Sequence, residues 1–326
     1  MSKTVVFIQA PPYCAGSDEA LNKLREAGLE IIDRRAQSVD APGYMEDLQR
    51  ADVLLNGNDL QINAELLDQL KNLKMIGKYG VGLDMIDIPS ATEHNVAVCN
   101  SPGCNCQAVA DQTLGMILGL LRKIPQGDTH MREGKYDHTS FKGTELWEKT
   151  MGLVGVGAIG RAVAMRANGF KMRILGYDPY WPAELADELN IERVKKWEDL
   201  LPEVDVLSLH CNLTNDNAQM LSTEQFKKMK KSAIVINAAR GELIDEDALY
   251  EALKDGEIAG AGIDAWTNEP PTGSPLLTLN NVLAMPHSAA FTTESFSNMD
   301  MQVTNQIIDF SRGIQPQPTV NKVSIN

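Results

Sequence analysis

The sequence predicts an α/β protein in which a doubly wound, parallel-sheet domain is inserted into a smaller α/β domain. Three observations lead there. Short apolar runs alternate with amphipathic stretches through the first hundred residues. That alternation breaks at Asn100-Ser101-Pro102-Gly103, passes through a long apolar-periodic segment, and restarts at Lys149. A glycine-rich turn, Gly155-x-Gly157-x-x-Gly160, then joins an apolar run to a helix-like one.

In order along the chain, 4–9, 29–33, 53–56, 75–77 and 96–99 read as strands, with helical spacing over 17–27, 64–70 and 88–94. The segment 107–122 reads as one helix. Beyond it, 151–154, 172–177, 204–209, 233–237, 258–264 and 282–285 read as six strands, with helices such as 245–254 between them. The segment 293–311 has helical spacing with Thr292 or Thr293 as its cap. The tail through Pro316-Gln317-Pro318 is too short for another domain.

Each glycine of the turn has a physical task. Gly155 permits a sharp exit from the strand, Gly157 has no side chain to hold a pyrophosphate off the backbone, and Gly160 lets the helix pack close to the sheet. N–H groups near Ala158 and Ile159 would face the pyrophosphate along the positive end of the helix dipole. The next strand ends at Asp178, so the whole reads as a Rossmann-type dinucleotide-binding unit. A carboxylate there would accept hydrogen bonds from the adenosine ribose and repel a 2′-phosphate. Pro179, Tyr180 and Trp181 supply no cation for that phosphate, so NAD is expected over NADP. A turn or helix-capping aspartate is the plainer alternative.

Six strands around this turn make a complete nucleotide fold. It is expected to occupy 102–291, while 1–101 and 292–326 form a flavodoxin-like substrate domain, with the active site in the cleft between them. With 43% hydrophobic and 23% charged residues the chain is of ordinary globular composition. A net charge of −14 argues against a nucleic-acid or anionic-membrane partner, and any anionic substrate must be met by a few local cations. With the strand-like Val5-Val6-Phe7-Ile8-Gln9 so close to the start, no signal peptide is expected, and no apolar run is long enough to span a bilayer. The five cysteines, Cys14, Cys99, Cys104, Cys106 and Cys211, are odd in number and scattered, which suits a reducing cytoplasm. Cys104 and Cys106 form a C-x-C pair with no cluster to complete a tetrahedral site, so no metal is expected.

An NAD enzyme that oxidises an alcohol needs a proton acceptor and a group to hold the substrate. Three candidates lie just past the ends of expected strands, where ligands collect in open α/β sheets. Arg240 follows 235–239, Glu269 precedes Pro270-Pro271, and His287 follows Met285-Pro286. Taken singly, Arg240 could pair with a surface acid such as Glu242, Glu269 could be a solvated loop acid, and His287 a buried histidine. Their placement after successive strands of one nucleotide fold favours the functional reading.

The sequence resembles the D-isomer-specific 2-hydroxyacid dehydrogenase family over nearly its whole length. The matching pieces are Tyr79-Gly-Val-Gly82-Leu-Asp84-Met-Ile-Asp87, Asn100-Ser-Pro102 with Ala108-Val-Ala-Asp111-Gln-Thr113, and the glycine turn. They continue through Leu209-His-Cys-Asn-Leu-Thr214, Ile236-Asn-Ala-Ala-Arg240-Gly241, Gly262-Ile-Asp264-Ala-Trp266 with Glu269-Pro270, and Pro286-His287. The stretch from Ile124-Pro-Gln126 through Gly143-Thr-Glu-Leu146 is most similar to the phosphoglycerate dehydrogenase branch.

The resemblance implies that Arg240 binds the substrate carboxylate and polarises the C2 oxygen, and that His287 is the general acid/base. Glu269 would fix the tautomer of His287 and favour its protonated form. Backbone N–H groups around Val81 and Gly82 would also bind the carboxylate, with Asn100 and Lys78 nearby. Asp264 and Ala238 would hold the nicotinamide carboxamide, and Thr113, His210 and Cys211 would lie against the cofactor. A homodimer acting on a small 2-hydroxy or 2-keto acid is implied.

Departures from the family pattern are informative. Asp111 stands where Glu is usual, Asn212 where Pro is usual, and Asn217 where Thr is usual. Phe291 stands where the phosphoglycerate branch has a small residue. The loop Asn56-Gly-Asn-Asp59-Leu-Gln61 lacks the Arg with which that branch grips a phosphate, and Lys78 could replace it only as a point charge. No regulatory domain is expected at the C-terminus. Phosphoglycerate-like and hydroxypyruvate-like substrates therefore compete. An NAD(H)-sensing corepressor-like binding protein on the same fold is the alternative from another class, and an amino-acid dehydrogenase is a further enzyme alternative.

Overall fold

The computed structural model describes residues 3–323. They divide into two compact units. The first is formed by residues up to Asn105 together with those from Phe291 onward, and the second runs from Cys106 to Ala290.

In the first unit, strands β1 (Val5–Gln9), β2 (Glu30–Asp33), β3 (Val53–Asn56), β4 (Met75–Lys78) and β5 (Ala97–Cys99) alternate with helices α1 (Glu19–Glu26), α2 (Tyr44–Leu48), α3 (Ala64–Gln69) and α4 (Ile88–Glu93). All strand pairs are parallel and their order is β2-β1-β3-β4-β5, the flavodoxin-like arrangement expected from the alternation. Strands β3, β4 and β5 are buried on both faces, because helices cover both. Val6, Ile8, Val53, Leu55 and Met75 pack with Leu21 and Leu24 of α1, whereas Phe7, Leu54, Ile76 and Val98 pack with Tyr44, Leu48 and Leu67.

The last helix of the chain completes this first core. It spans Thr293–Ser311, and its Met299, Val303 and Ile307 pack with the strands of the first face. Gly77 permits the close approach, since a Cβ there would stand 2.9 Å from Val303 Cγ2. Thr292 is the cap, its hydroxyl accepting the Ser295 N–H at 3.1 Å. The tail then runs against the edge of β5, where Val320 N–H donates to the Val98 carbonyl at 2.7 Å.

The second unit opens with α5 (Cys106–Leu121) and α6 (Ile124–Arg132). There follow β6 (Thr150–Val154), α7 (Ala158–Asn168), β7 (Arg173–Tyr177), α8 (Ala183–Glu188), β8 (Ile191–Arg193), β9 (Val206–Leu209), α9 (Thr223–Phe226), β10 (Ile234–Asn237), α10 (Glu246–Lys254), β11 (Gly260–Ile263) and β12 (Val282–Ala284). In the same numbering the terminal helix is α11. The sheet is wholly parallel with the order β12-β11-β10-β9-β6-β7-β8. The order reverses between β6 and β9, so the glycine turn leaves the sheet at its topological switch point, where such sheets bind ligands.

The sheet has seven strands where six were expected. The extra one, β8, has two exposed residues out of three, so no apolar run marks it. Only Ile191 of β8 is buried in the core, and Glu192 pairs across to Arg173 of β7 at 2.7 Å. Helix α6 was also unmarked, and it buries none of its residues. The short helices α2 and α8 fall in stretches without a sustained period, and α5 begins one residue before the expected 107–122 segment. Among the described residues no helix is long and apolar enough to cross a membrane.

The cap assignment is testable by thermal unfolding. Thr292→Ala should lower stability by about 1 kcal/mol, whereas Thr293→Ala should leave the melting temperature nearly unchanged.

Candidate active site

Arg240, Glu269 and His287 all lie in loops that leave the C-terminal ends of adjacent strands, β10, β11 and β12. Each loop is tied down by a buried polar residue at or just past a strand end. Asn237, the last residue of β10 and 1% exposed, is the first. Its side chain accepts the Ala239 N–H at 3.1 Å and donates to the Arg240 carbonyl at 2.8 Å. Its own carbonyl accepts the Asp264 N–H at 2.9 Å, which joins the β10 loop to the β11 loop. The half-buried Arg240 sends Nη1 to the Ala239 carbonyl at 2.7 Å.

Asp264, directly after β11, is the second. Although 1% exposed, it faces three consecutive N–H groups of the β12 loop. Its carbonyl accepts from His287 at 2.9 Å, Oδ1 from Ser288 at 2.9 Å, and Oδ2 from Ala289 at 3.0 Å. His287 is left-handed, φ +53°, a conformation that costs a non-glycine residue free energy and persists only when neighbours enforce it. The three bonds to Asp264 enforce it here. Held this way, the imidazole Nδ1 meets both Glu269 oxygens, at 2.7 and 2.9 Å, with both side chains half-exposed. Glu269 is itself placed by Trp266, whose N–H donates to Oε1 at 3.1 Å and whose indole donates to the Met285 carbonyl at 2.9 Å.

Gly241 locks the Arg240 loop onto the Glu269 loop. A Cβ at that position would stand 2.0 Å from the Trp266 carbonyl carbon and 2.1 Å from Thr267 N. Only glycine lets the two backbones lie this close.

The glycine turn separates what the protein needs from what it leaves open. Gly155 has φ +97°, and a Cβ there would meet the His210 carbonyl at 2.6 Å. A Cβ at Gly160 would lie 2.2 Å from the Gly155 carbonyl oxygen. At Gly157 nothing lies within 4 Å, so no neighbour in the fold demands glycine there. That open space sits at the N-terminus of α7, where the N–H groups of Ala158, Ile159 and Gly160 find no acceptor among the described residues. A pyrophosphate fits this cradle. Asp178 holds its edge, accepting the Val156 N–H at 2.8 Å and the Tyr180 N–H at 2.8 Å. The turn role and a ribose role are thus compatible, because each carboxylate oxygen can accept more than one hydrogen bond.

His210 and Cys211 follow β9 beside this turn. The His210 ring is enclosed although part of the residue is exposed. Nε2 meets Ser208 Oγ at 2.9 Å, Nδ1 is buried without a partner among the described residues, and burial pushes the imidazole down to about 4. Burial likewise pushes the Cys211 thiol up to about 11. Asn217 closes the loop, accepting the Thr214 N–H at 2.7 Å and donating to the Asn212 carbonyl at 2.8 Å. On α5, Thr113 is fully buried, its hydroxyl without a partner among the described residues. Asp111 forms an ion pair with Arg166 of α7 at 2.6 Å, which gives the shortened acid a bracing role. Ala238 is half-buried between Asn237 and Arg240.

In the first unit, Val81 and Gly82 are half-buried after β4. Asn100 donates to the Val81 carbonyl at 2.8 Å, and Ser101 N–H to the Gly80 carbonyl at 2.9 Å. Lys78 is not an open point charge. It is 2% exposed, and Nζ donates to the Gly57 carbonyl at 2.7 Å, Asn58 Oδ1 at 2.6 Å and the Tyr79 carbonyl at 3.2 Å. An ammonium has three donors, so Lys78 shapes the loop after β3. Phe291 is exposed and rests edge-on against Phe296 with ring centroids 5.1 Å apart.

Sequence reasoning passed over Asn237, Gly241 and Trp266 as functional residues. Asn237 carried a signal, since Asn is depleted in strands yet ends an apolar run here.

Residues 114–289 match the family model for the NAD-binding domain of D-isomer-specific 2-hydroxyacid dehydrogenases. The chain is 39% identical over 307 residues to a D-3-phosphoglycerate dehydrogenase of Methanocaldococcus jannaschii, covering 93% of this chain and 59% of that one. It is 39% identical to a glyoxylate reductase of Korarchaeum cryptofilum, with 85% of each chain covered. Among solved structures, the TT0316 protein of Thermus thermophilus superposes with a TM-score of 0.86 at 33% identity, covering 98% of this chain and all of that one. The chain spans only 57–59% of the length of the first three phosphoglycerate dehydrogenases that it matches.

Two experiments test this geometry. Gly157→Ala should fold with stability within about 0.5 kcal/mol of the parent yet bind NADH more weakly. Gly160→Ala should cost about 1–3 kcal/mol by overpacking, read as a lowered melting temperature. His210 is neutral in the folded state with a depressed pKa, so its contribution is present above about pH 6.5 and is lost as pH falls toward 4. Unfolding free energy should drop by about 3 kcal/mol more over that window in the parent than in His210→Gln. Equal slopes in both proteins would refute the assignment.

Proposed function

Since the chain belongs to the D-isomer-specific 2-hydroxyacid dehydrogenase family, we propose that it interconverts a small D-2-hydroxy acid and its 2-keto acid with NAD. The observation that carries this reading is the His287–Glu269 pair, with Nδ1 between two carboxylate oxygens at 2.7 and 2.9 Å. With a carboxylate facing it, Nδ1 carries a proton and donates, which leaves Nε2 for the substrate oxygen.

When bound, NAD(H) accepts or supplies the hydride. Gly155, Gly157 and Gly160, the N–H groups of Ala158 and Ile159, and Asp178 would hold its adenosine and pyrophosphate. Thr113, His210, Cys211, Ala238 and Asp264 would line the rest. In keto-acid reduction, Arg240 pairs with the substrate carboxylate and polarises the C2 carbonyl. His287 delivers its Nε2 proton to the forming alkoxide while Glu269 stabilises the imidazolium. The Val81 and Gly82 N–H groups and Asn100 bind the carboxylate.

The substrate tail is small and carries no phosphate. A phosphate brings roughly two charges at neutral pH, and the loop Asn56-Gly57-Asn58-Asp59 offers no cation. The three donors of Lys78 are directed at oxygens of Gly57, Asn58 and Tyr79. The activity is therefore hydroxypyruvate reductase-like. We place it in the cytoplasm, where five free thiols are stable, and as a homodimer, to be checked by light scattering.

With NADH, hydroxypyruvate should be reduced with a higher kcat/KM than 3-phosphohydroxypyruvate at equal ionic strength, and NADPH should be used poorly. His287→Ala should lower kcat by about 10²–10⁴-fold, and Arg240→Ala should both raise KM and lower kcat. Glu269→Gln should reduce kcat more than KM. A preference for the phosphorylated acid would overturn the substrate reading.

A further inference from the structure

The loop that follows β4, Tyr79-Gly80-Val81-Gly82, is held by a residue more than two hundred positions away. The Tyr79 hydroxyl donates to Asp300 Oδ1 on α11 at 2.9 Å, and the same oxygen accepts the Cys14 N–H at 3.1 Å. One turn further along α11, Thr304 Oγ1 meets the Tyr13 hydroxyl at 2.7 Å. The two tyrosine rings pack edge to face with centroids 6.1 Å apart. Asp300 is 7% exposed within an apolar cluster that includes Met299, Val303 and Leu24.

A buried carboxylate is an expensive way to fill such a position. An apolar side chain of similar volume would pack there without desolvating a charge. Burial accordingly raises the Asp300 carboxyl, while the Cys14 N–H, the Tyr79 hydroxyl and the nearby Arg35 pull it back. What the carboxylate achieves is visible in its partners. Tyr79 immediately precedes Gly80, which has φ +122° and so lends the backbone wide freedom at the entrance to Val81 and Gly82. The loop is pinned on one side by Tyr79 and on the other by Asn100, whose amide donates to the Val81 carbonyl. Helix α11 reaches that second anchor too, through Gln306 Nε2 to the Asn100 carbonyl at 2.8 Å.

We propose that Asp300 is a positioning residue for substrate binding, acting through the Tyr79 hydroxyl to aim the Val81 and Gly82 N–H groups at the substrate carboxylate. This rests on the reading of Val81 and Gly82 given under the proposed function. Asp300 touches neither substrate nor cofactor. It sets a backbone that glycine would otherwise leave loose, so its loss acts on substrate affinity and leaves the hydride step and NADH binding alone.

Three variants separate positioning from general support. Tyr79→Phe removes one hydroxyl, Asp300→Ala removes the acceptor, and Asp300→Asn keeps an acceptor oxygen of the same shape. Two readouts are taken on the full chain: KM and kcat for hydroxypyruvate with NADH, and amide hydrogen exchange of the segment 80–84. Tyr79→Phe and Asp300→Ala should raise KM about tenfold, the scale of one hydrogen bond to a charged group. Their kcat should stay within about twofold, NADH affinity should be unchanged, and exchange at 80–84 should be faster by a similar factor. Asp300→Asn should recover most of both. A lowered melting temperature with unchanged KM and unchanged exchange at 80–84 would make the pair a structural brace only and overturn the proposal. If the parent reduces no 2-keto acid, the functional reading fails. The exchange data then still decide whether Asp300 fixes the loop.

Discussion

The hydrogen bonds that one buried aspartate accepts from three successive N–H groups are the constraint on which the arrangement of the second unit depends. Asp264 holds His287, Ser288 and Ala289 by its carbonyl and both carboxylate oxygens. Without those bonds the left-handed turn at His287 has nothing to enforce it. The imidazole then leaves Glu269, and the spacing of the pair is lost. Asp264 in turn is fixed through its own N–H by the Asn237 carbonyl, so the chain of constraint runs back into the sheet. Since parallel strands give rigid, closely spaced ends, side chains launched from three adjacent strands inherit that precision.

The same logic recurs at the nucleotide cradle in a different material. There the constraint is steric, since Gly155 and Gly160 remove side chains that would strike the backbone, and Asp178 ties Val156 to the end of β7. The loops that carry Arg240, Glu269 and His287 are thus held mainly by buried polar atoms, and the glycine turn mainly by the absence of side chains. The two devices respond differently to substitution. Replacing a buried polar anchor leaves partners unsatisfied, whereas adding a methyl to the glycine turn forces backbones apart.

How much was legible follows from what each feature leaves in the sequence. Segments with an apolar period or a glycine turn, such as β6 through β7 and the α11 helix with its threonine cap, could be read directly. So could Arg240, Glu269 and His287 as candidates, because each follows an apolar strand. Strand β8 could not, because only one of its three residues, Ile191, is buried. Helix α6 buries nothing and so leaves no stripe. Asp300 and Gln306 were illegible for another reason. Each looks like an exposed residue of a polar helix, and each acquires meaning from partners up to 286 residues away. Lys78 looked like a free cation because sequence cannot show that carbonyl oxygens already surround it.

The path of the chain through the two units has a consequence for how the molecule is made. The second unit is one uninterrupted stretch, Cys106 to Ala290, and all of its sheet is available once that stretch has left the ribosome. The first unit is not. Its strands emerge first, yet the face formed by Val6, Ile8, Val53 and Met75 lacks Met299, Val303 and Ile307 until α11 appears. During synthesis, therefore, the later-made unit closes before the earlier-made one. For nearly two hundred residues of elongation the nascent chain carries an apolar sheet face that α1 covers only in part, the kind of surface that chaperones recognise.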